Sequence, residues 1–174
     1  MHYINHYSSP LGKITLASNG NELIGLWFEG QKYFGSTLNG EYKQKSLPVF
    51  EQTAKWLDVY FSGKNPNITP PLFLSSTSFR NEVWKILLAI PYGSVITYGG
   101  IADIMAKKRG AENMSAQAIG GAVGHNPISL IVPCHRVVGT DGSLTGYAGG
   151  VDIKEKLLKF ENVDMSMLFV PKSK

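Results

Sequence analysis

The hydrophobic pattern of this chain changes character near residue 75, which limits it to a fold built from two unlike parts. From about residue 3 to 35 it reads as strands. Lys13-Ile14-Thr15-Leu16-Ala17 alternates, Ser18-Asn19-Gly20-Asn21 carries turn residues, and Leu23-Ile24-Gly25-Leu26-Trp27-Phe28 is a second strand. After a polar stretch, Phe50, Ala54, Leu57 and Phe61 predict a helix from Pro48 to about Phe61. Ser62-Gly63-Lys64-Asn65-Pro66-Asn67 ends it, and the chain stays rich in Pro, Ser and Thr to about Ser78.

Beyond that boundary the period is helical. A helix capped by Thr77 or Ser78 should run to about Ala89 and bury Phe79, Val83, Trp84 and Leu87. Pro91-Tyr92-Gly93-Ser94 is a turn. A short helix from Tyr98 to Ala106 should bury Ile101, Ile104 and Met105, and a polar connector, Lys107 to Asn113, leads to a second short helix from Ser115 to about Val123. The pair has the form of a helix-turn-helix with a long connector. The second helix carries Ala116, Ala118, Gly120, Gly121 and Ala122, and two glycines cost about 1 kcal/mol each against alanine. Such a surface suits tight packing against a neighbouring helix or close approach of the backbone to a groove. Ile128-Ser129-Leu130-Ile131-Val132 suits a buried strand, and a last helix opening at Asp152, with Glu155 in a capping-box position, runs to about Phe160.

Composition narrows the classes. The chain has 174 residues, 43% of them apolar, and no stretch near the roughly 20 residues of a membrane span. The N-terminus has neither a signal-peptide core nor a transit pattern, so a cytoplasmic protein is expected. A net charge of +4 is compatible with nucleic acid without demanding it. The single cysteine excludes an internal disulfide and any Cys-rich metal site.

That cysteine, Cys134, follows the apolar run and a stiffening proline and is followed by His135. A thiol reacts as its thiolate and needs a proton acceptor or a positive charge nearby. Successive residues of an extended chain point to opposite sides, so His135 reaches the sulfur through a bridging water unless the chain bends. The imidazole then needs a group on its other nitrogen. Ile153, Leu157 and Glu161 follow i, i+4, i+8 spacing, which puts Glu161 on the inward stripe of the last helix, where a carboxylate should be paired. A relay Glu161–His135–water–Cys134 follows, with a frayed, solvated helix end the competing role for Glu161.

Ile131-Val132-Pro133-Cys134-His135-Arg136-Val137-Val138 resembles the active-site signature of the methylated-DNA–protein-cysteine methyltransferases, the O6-alkylguanine-DNA alkyltransferases. Phe79 with Val83-Trp84, Ile90-Pro91-Tyr92-Gly93, Thr97-Tyr98, Ala118-Ile119-Gly120-Gly121-Ala122, Asn126-Pro127, Gly146-Tyr147 and Lys154 to Glu161 fall in family order, so residues 76 to 163 are covered closely. The first 75 share only the hairpin-then-helix layout. The resemblance implies an α+β protein. Its domain 1–75 would be a small antiparallel β-sheet with a helix, ribonuclease H-like. Its domain 76–174 would be winged helix-turn-helix-like and carry the site.

It also implies single-turnover transfer of an alkyl group from O6-alkylguanine, with O4-alkylthymine a second candidate substrate, in double-stranded DNA to Cys134. Asn126 would tie the helix-turn-helix to the active-site strand, and Tyr98 would donate to N3 of the flipped base. The Cys134 and Val137 carbonyls would accept from its amine, the Ala148 N–H would reach O6, and Tyr147 would line the pocket. For Tyr98 and Tyr147, ordinary packing is the competing role, and Arg136 reads as structural. Ser115, Ala116, Gln117, Gly120 and Gly121 would meet the minor groove, which turns the even choice for the small-residue helix toward groove contact.

Three departures stand out. Many members place an arginine in the groove helix where this chain has Gln117, so weaker duplex binding is expected. The connector Lys107 to Asn113 is longer than in some relatives, and its basic residues either touch a phosphate or are solvated. Some members hold zinc through first-domain cysteines; this chain has none there, and His2 and His6 make poor ligands alone, so no metal is expected. The expected protein is a monomer without a cofactor. A cysteine hydrolase and a non-catalytic lesion binder are the rival functions.

Overall fold

The computed structural model describes residues 1–172. The chain divides into two compact units, Met1–Ser75 with Pro127–Ile131, and Ser76–Asn126 with the chain from Val132 onward. Among the described residues no helix is long and apolar enough to cross a membrane.

The first unit is a four-stranded sheet with one helix. Strands β1 (His2–Ser9), β2 (Gly12–Ser18), β3 (Leu23–Phe28) and β4 (Tyr42–Gln44) lie in the order β3-β2-β1-β4. β1–β2 and β2–β3 are antiparallel. The β2–β3 turn is built as its composition predicts: Asn19 Oδ1 accepts from the N–H groups of Asn21 and Glu22, and Ser18 Oγ donates to the Glu22 carbonyl. The sheet is not purely antiparallel, because β4 pairs with β1 in parallel. The polar stretch hid this strand: its three residues are all exposed and form an edge.

The alternation expected in β2 is also absent, since Ile14 to Ser18 are all buried. Both faces of the sheet are covered. Helix α1 (Pro48–Phe61) lies against β1 and β2, and on the other face Trp27, Ala17 and Ile24 cluster with Ile4 and Leu38. Residues 29–41 cover that second face as turns rather than as the strand expected to about 35. Gly25 is obligatory: a Cβ there would lie 2.1 Å from the Trp27 ring. On α1 the buried stripe is Val49, Phe50, Thr53, Trp56, Leu57 and Tyr60, so Ala54 and Phe61 sit at its margin.

The second unit is helical. Helices α2 (Ser78–Leu88), α3 (Tyr98–Arg109) and α4 (Ala116–Gly124) pack against one another, and strands β5 (Ile96–Thr97) and β6 (Val137–Val138) form a two-stranded parallel pair. Each helix start is capped by a hydroxyl. Thr77, Thr97 and Ser115 accept from the backbone N–H of Arg80, Gly100 and Ala118. Of the residues expected to be buried, Phe79 is half-buried and Ile104 is exposed.

α3 is longer than expected. Lys107, Lys108 and Arg109 form its last turn, where cations complement the helix dipole, and Gly110 ends it in the left-handed region at φ 64°. The connector is correspondingly shorter. Arg109 pairs with Glu82 at 3.1 Å and lies over the Phe79 ring. In α5 (Val151–Phe160) the cap is Gly150 with no side-chain bond, so the capping box is not formed; Asp152 sits in the first turn and Glu155 pairs with Lys159. Val138, Leu144, Leu158 and Val163 form a core cluster beneath this helix.

The run Ile128 to Val132 is buried but is not a strand. It makes one bridge, Leu26 to Ile128, and then turns tightly, with Leu130 at φ 71° and Ile131 N–H donating to Ser129 O. Periodicity read its burial correctly and could not see its backbone.

Candidate active site

The tight turns continue into the site and supply the bend that an extended chain lacks. Cys134 N–H donates to Val132 O at 2.8 Å, and Cys134–Arg136 form a single 3-10 turn closed by Arg136 N–H to Pro133 O at 3.0 Å. Asn126 fixes the approach: its Nδ2 donates to the Val132 carbonyl at 2.7 Å, and its side chain also hydrogen-bonds the Cys134 thiol. Cys134, His135 and Arg136 are all buried.

His135 Nε2 lies 2.5 Å from Glu161 Oε2, with both side chains fully enclosed. With Nε2 donating to a carboxylate, Nδ1 is the basic nitrogen of the ring. The other carboxylate oxygen, Oε1, accepts from Arg136 Nε at 2.8 Å and from Gly93 N–H at 3.1 Å. Burial disfavours the charged form of Glu161, but the hydrogen bonds and charges of His135 and Arg136 outweigh it and hold the carboxyl at about 2. Burial lowers the His135 pKa, and the hydrogen bond to Glu161 and the Glu161 charge act in the opposite direction. Arg136 Nη1 also donates to Ile90 O at 2.7 Å, and its guanidinium lies over Tyr92. The turn after α2 thus serves the carboxylate. Gly93 has φ 84°, and a Cβ there would crowd the Glu161 carbonyl at 3.3 Å.

The far side of the site is a loop, Thr145 to Gly149. Tyr98, the first residue of α3, donates its hydroxyl to Thr145 O at 3.1 Å, and Lys154 Nζ donates to the same carbonyl at 2.9 Å. Burial and the neighbouring Cys134 raise the Tyr98 pKa to about 12, so the phenol remains a donor at neutral pH. Tyr147 is buried, with its ring edge-on to His135 at 6.4 Å, and Ala148 follows it, half-buried. Val137 is buried in β6, and its N–H donates to the Cys134 carbonyl. Burial raises the Cys134 pKa; Asn126 and the charge of Lys154 act in the opposite direction.

Ser115, Ala116, Gln117 and Gly121 are exposed on α4 and Gly120 is half-buried, while Ile119, Ala122 and Val123 form the inner face. A Cβ added at Gly120 or Gly121 would meet nothing within 4 Å, so packing within the protein does not require glycine there. Among the described residues no group of three or more His, Cys, Asp or Glu could hold a metal ion. His2 Nδ1 accepts from Asn39 N–H, and His6 Nδ1 bonds the Thr15 hydroxyl.

Lys154 and Gly93 were not singled out from the sequence, and Arg136 was read only as structural. The signal for Lys154 was there. Lys154, Leu157, Leu158 and Glu161 are the buried positions at this end of the chain's last helix, an i, i+3, i+4, i+7 stripe that the narrower i, i+4, i+8 reading missed.

Helices α3 and α4 have the form of a helix-turn-helix, as in DNA-binding proteins, and the same unit buries Cys134 next to the His135–Glu161 pair. The chain belongs to the 6-O-methylguanine DNA methyltransferase family: that family's DNA binding domain matches residues 78–163 and its ribonuclease-like domain residues 2–74. The methylated-DNA–protein-cysteine methyltransferase of Methanosarcina barkeri is 42% identical over 160 residues, 91% of this chain and 96% of that one. The protein of the same name from Haemophilus influenzae is 36% identical over 162 residues, 92% of this chain and 87% of the other. The crystal structure of Mycobacterium tuberculosis OGT in complex with DNA has a TM-score of 0.78 at 39% identity, covering 91% of this chain and 92% of that one.

Proposed function

We propose that this methyltransferase repairs O6-alkylguanine in double-stranded DNA by moving the alkyl group onto Cys134 Sγ, once per protein molecule. The observation that carries this reading is the enclosed His135–Glu161 pair, placed on the residue next to the only cysteine. His135 Nδ1 takes the thiol proton through a water, and Glu161 stabilises the imidazolium that forms. The thiolate then displaces the alkyl carbon from O6; the carbon–sulfur bond forms as the carbon–oxygen bond breaks, and the electron pair passes to the purine. Tyr98 leaves the Thr145 carbonyl and donates to N3, neutralising that charge. The carbonyls of Cys134 and Val137 hold the exocyclic amine, the Ala148 N–H holds O6, and Tyr147 lines the pocket. The product is a thioether that water does not cleave, so turnover stops. O4-alkylthymine offers the same alkyl–oxygen arrangement and is a second candidate substrate.

The target base lies inside the duplex and must be flipped out, at a cost of a few kcal/mol. Ser115, Ala116, Gln117, Gly120 and Gly121 present a nearly bare backbone to the minor groove, and the open space beside both glycines supports a role toward an external partner rather than internal packing. Gln117 fills the gap left by the base. The protein acts as a cytoplasmic monomer without a cofactor.

Intact-mass measurement after incubation with O6-methylguanine duplex tests the reading. One retained methyl group per chain, abolished by Cys134→Ser, is expected. Repeated demethylation by one molecule would mark a hydrolase, and a tight complex without any gain in mass would mark a lesion binder.

A further inference from the structure

The mechanism above leaves one buried charge unused. Lys154 is 0% exposed, yet it belongs to none of the ion pairs found among the described residues; these join Arg109 to Glu82, His135 and Arg136 to Glu161, and Lys159 to Glu155. Its Nζ donates to the Thr145 carbonyl and lies 5.9 Å from the Tyr98 ring centroid. Burying an ammonium group without an anion is strongly unfavourable, so such a group is retained where an anion forms beside it. The one carboxylate of the site, Glu161, is committed to Arg136, His135 and Gly93. Tyr98, which shares the Thr145 carbonyl with Lys154, has its pKa raised to about 12 and stays protonated, so the group left to become an anion near neutral pH is the Cys134 sulfur, which is coupled electrostatically to Lys154.

We propose that Lys154 is the counter-ion of the Cys134 thiolate, fixed in place by the Thr145 carbonyl that it shares with Tyr98. This rests on the reading that Cys134 reacts as a thiolate. Two cations, Arg136 and Lys154, then face two anions, Glu161 and the sulfur; the thiol proton leaves through His135 while Lys154 keeps its own. The titratable and charged groups around the sulfur are His135 and Arg136 from its own turn, Tyr98 from α3, and Lys154 and Glu161 from the two ends of α5's buried stripe. Burial lowers the Lys154 pKa to about 8, opposed by Cys134, which marks an ammonium held where charge is costly. Lys154 is a positioning residue: it acts on the substrate only through the sulfur and the pocket loop.

The test is the pH dependence of Cys134 alkylation by iodoacetamide, which needs no DNA, in the full chain and in Lys154→Met and Lys154→Arg. In Lys154→Met the midpoint of the profile should rise by about one pH unit or more, slowing the neutral-pH reaction about tenfold. Lys154→Arg should restore most of the shift. The methionine variant should melt no lower than the parent, because a buried charge has been removed. An unchanged midpoint in Lys154→Met, or an arginine variant that is folded but behaves like methionine, overturns the proposal. Should the methionine variant not fold, the parent protein decides. The Lys154 pKa, followed by NMR, should fall by about one unit once the sulfur is capped by iodoacetamide, and an unmoved value overturns the proposal. Loss of this inference leaves methyl transfer from DNA untouched, whereas a chain that shows these shifts and ignores methylated duplex loses the DNA-repair reading alone.

Discussion

Arg136 Nε sits 2.8 Å from Glu161 Oε1, on the carboxylate oxygen that His135 does not use. The guanidinium keeps the carboxylate ionised, and an ionised carboxylate is what an imidazole accepting a proton requires. Removing one partner of a buried pair leaves the other charge uncompensated, at about 3–5 kcal/mol. Arg136→Met should lose stability on that scale in urea unfolding. Glu161→Gln should slow methyl transfer by at least about tenfold in single-turnover kinetics, on the scale of general acid–base contributions. An unchanged rate removes Glu161 from the relay.

The same pair sets an acid limit. The Glu161 carboxyl is depressed from 4.5 to about 2 in the fold, so its stabilisation is complete above 4.5 and is lost as pH falls toward 2. Its size is about 3 kcal/mol, from about 1.4 kcal/mol per unit. Unfolding free energy measured down to about pH 2 should fall along this window, and Glu161→Gln should flatten that part of the curve.

The α4 glycines separate stability from DNA binding. With nothing within 4 Å of a new Cβ, Gly120→Ala and Gly121→Ala should each stabilise the free protein by about 1 kcal/mol. Gly121→Leu should leave folding intact and weaken duplex binding in a fluorescence titration. Normal duplex affinity in the leucine variant would place the groove contact elsewhere.

Gln117 is exposed and uncharged. Gln117→Arg should tighten binding to undamaged duplex and steepen its salt dependence by about one unit of slope, as one more phosphate contact would. No gain would dissociate Gln117 from the duplex.

Much of this architecture was legible in the residues. The α1 bounds, the Thr77 cap and the Cys134–His135–Glu161 grouping follow from periodicity, cap chemistry and the rule that buried carboxylates are paired, whereas the Thr97 and Ser115 caps were seen only in the structure. β4 escaped because an exposed three-residue edge strand has no hydrophobic signal. The turns at Ser129 to Pro133 escaped because an apolar run reports burial, not φ and ψ. Lys154 escaped because a lysine on a helix reads as solvated unless its neighbours at +3, +4 and +7 are all taken as inward.

Pro127–Ile131 belongs with the first unit although it lies some fifty residues past the 75/76 junction. Its Pro127 carbonyl accepts from Leu26 N–H, and its Ser129 N–H donates to Leu26 O, along the outer edge of β3. Severing the gene at that junction would therefore strip β3 of a bonding partner carried by the other fragment. A split version of this protein would need its cut sites on either side of that borrowed pentapeptide, or a transplanted copy of it.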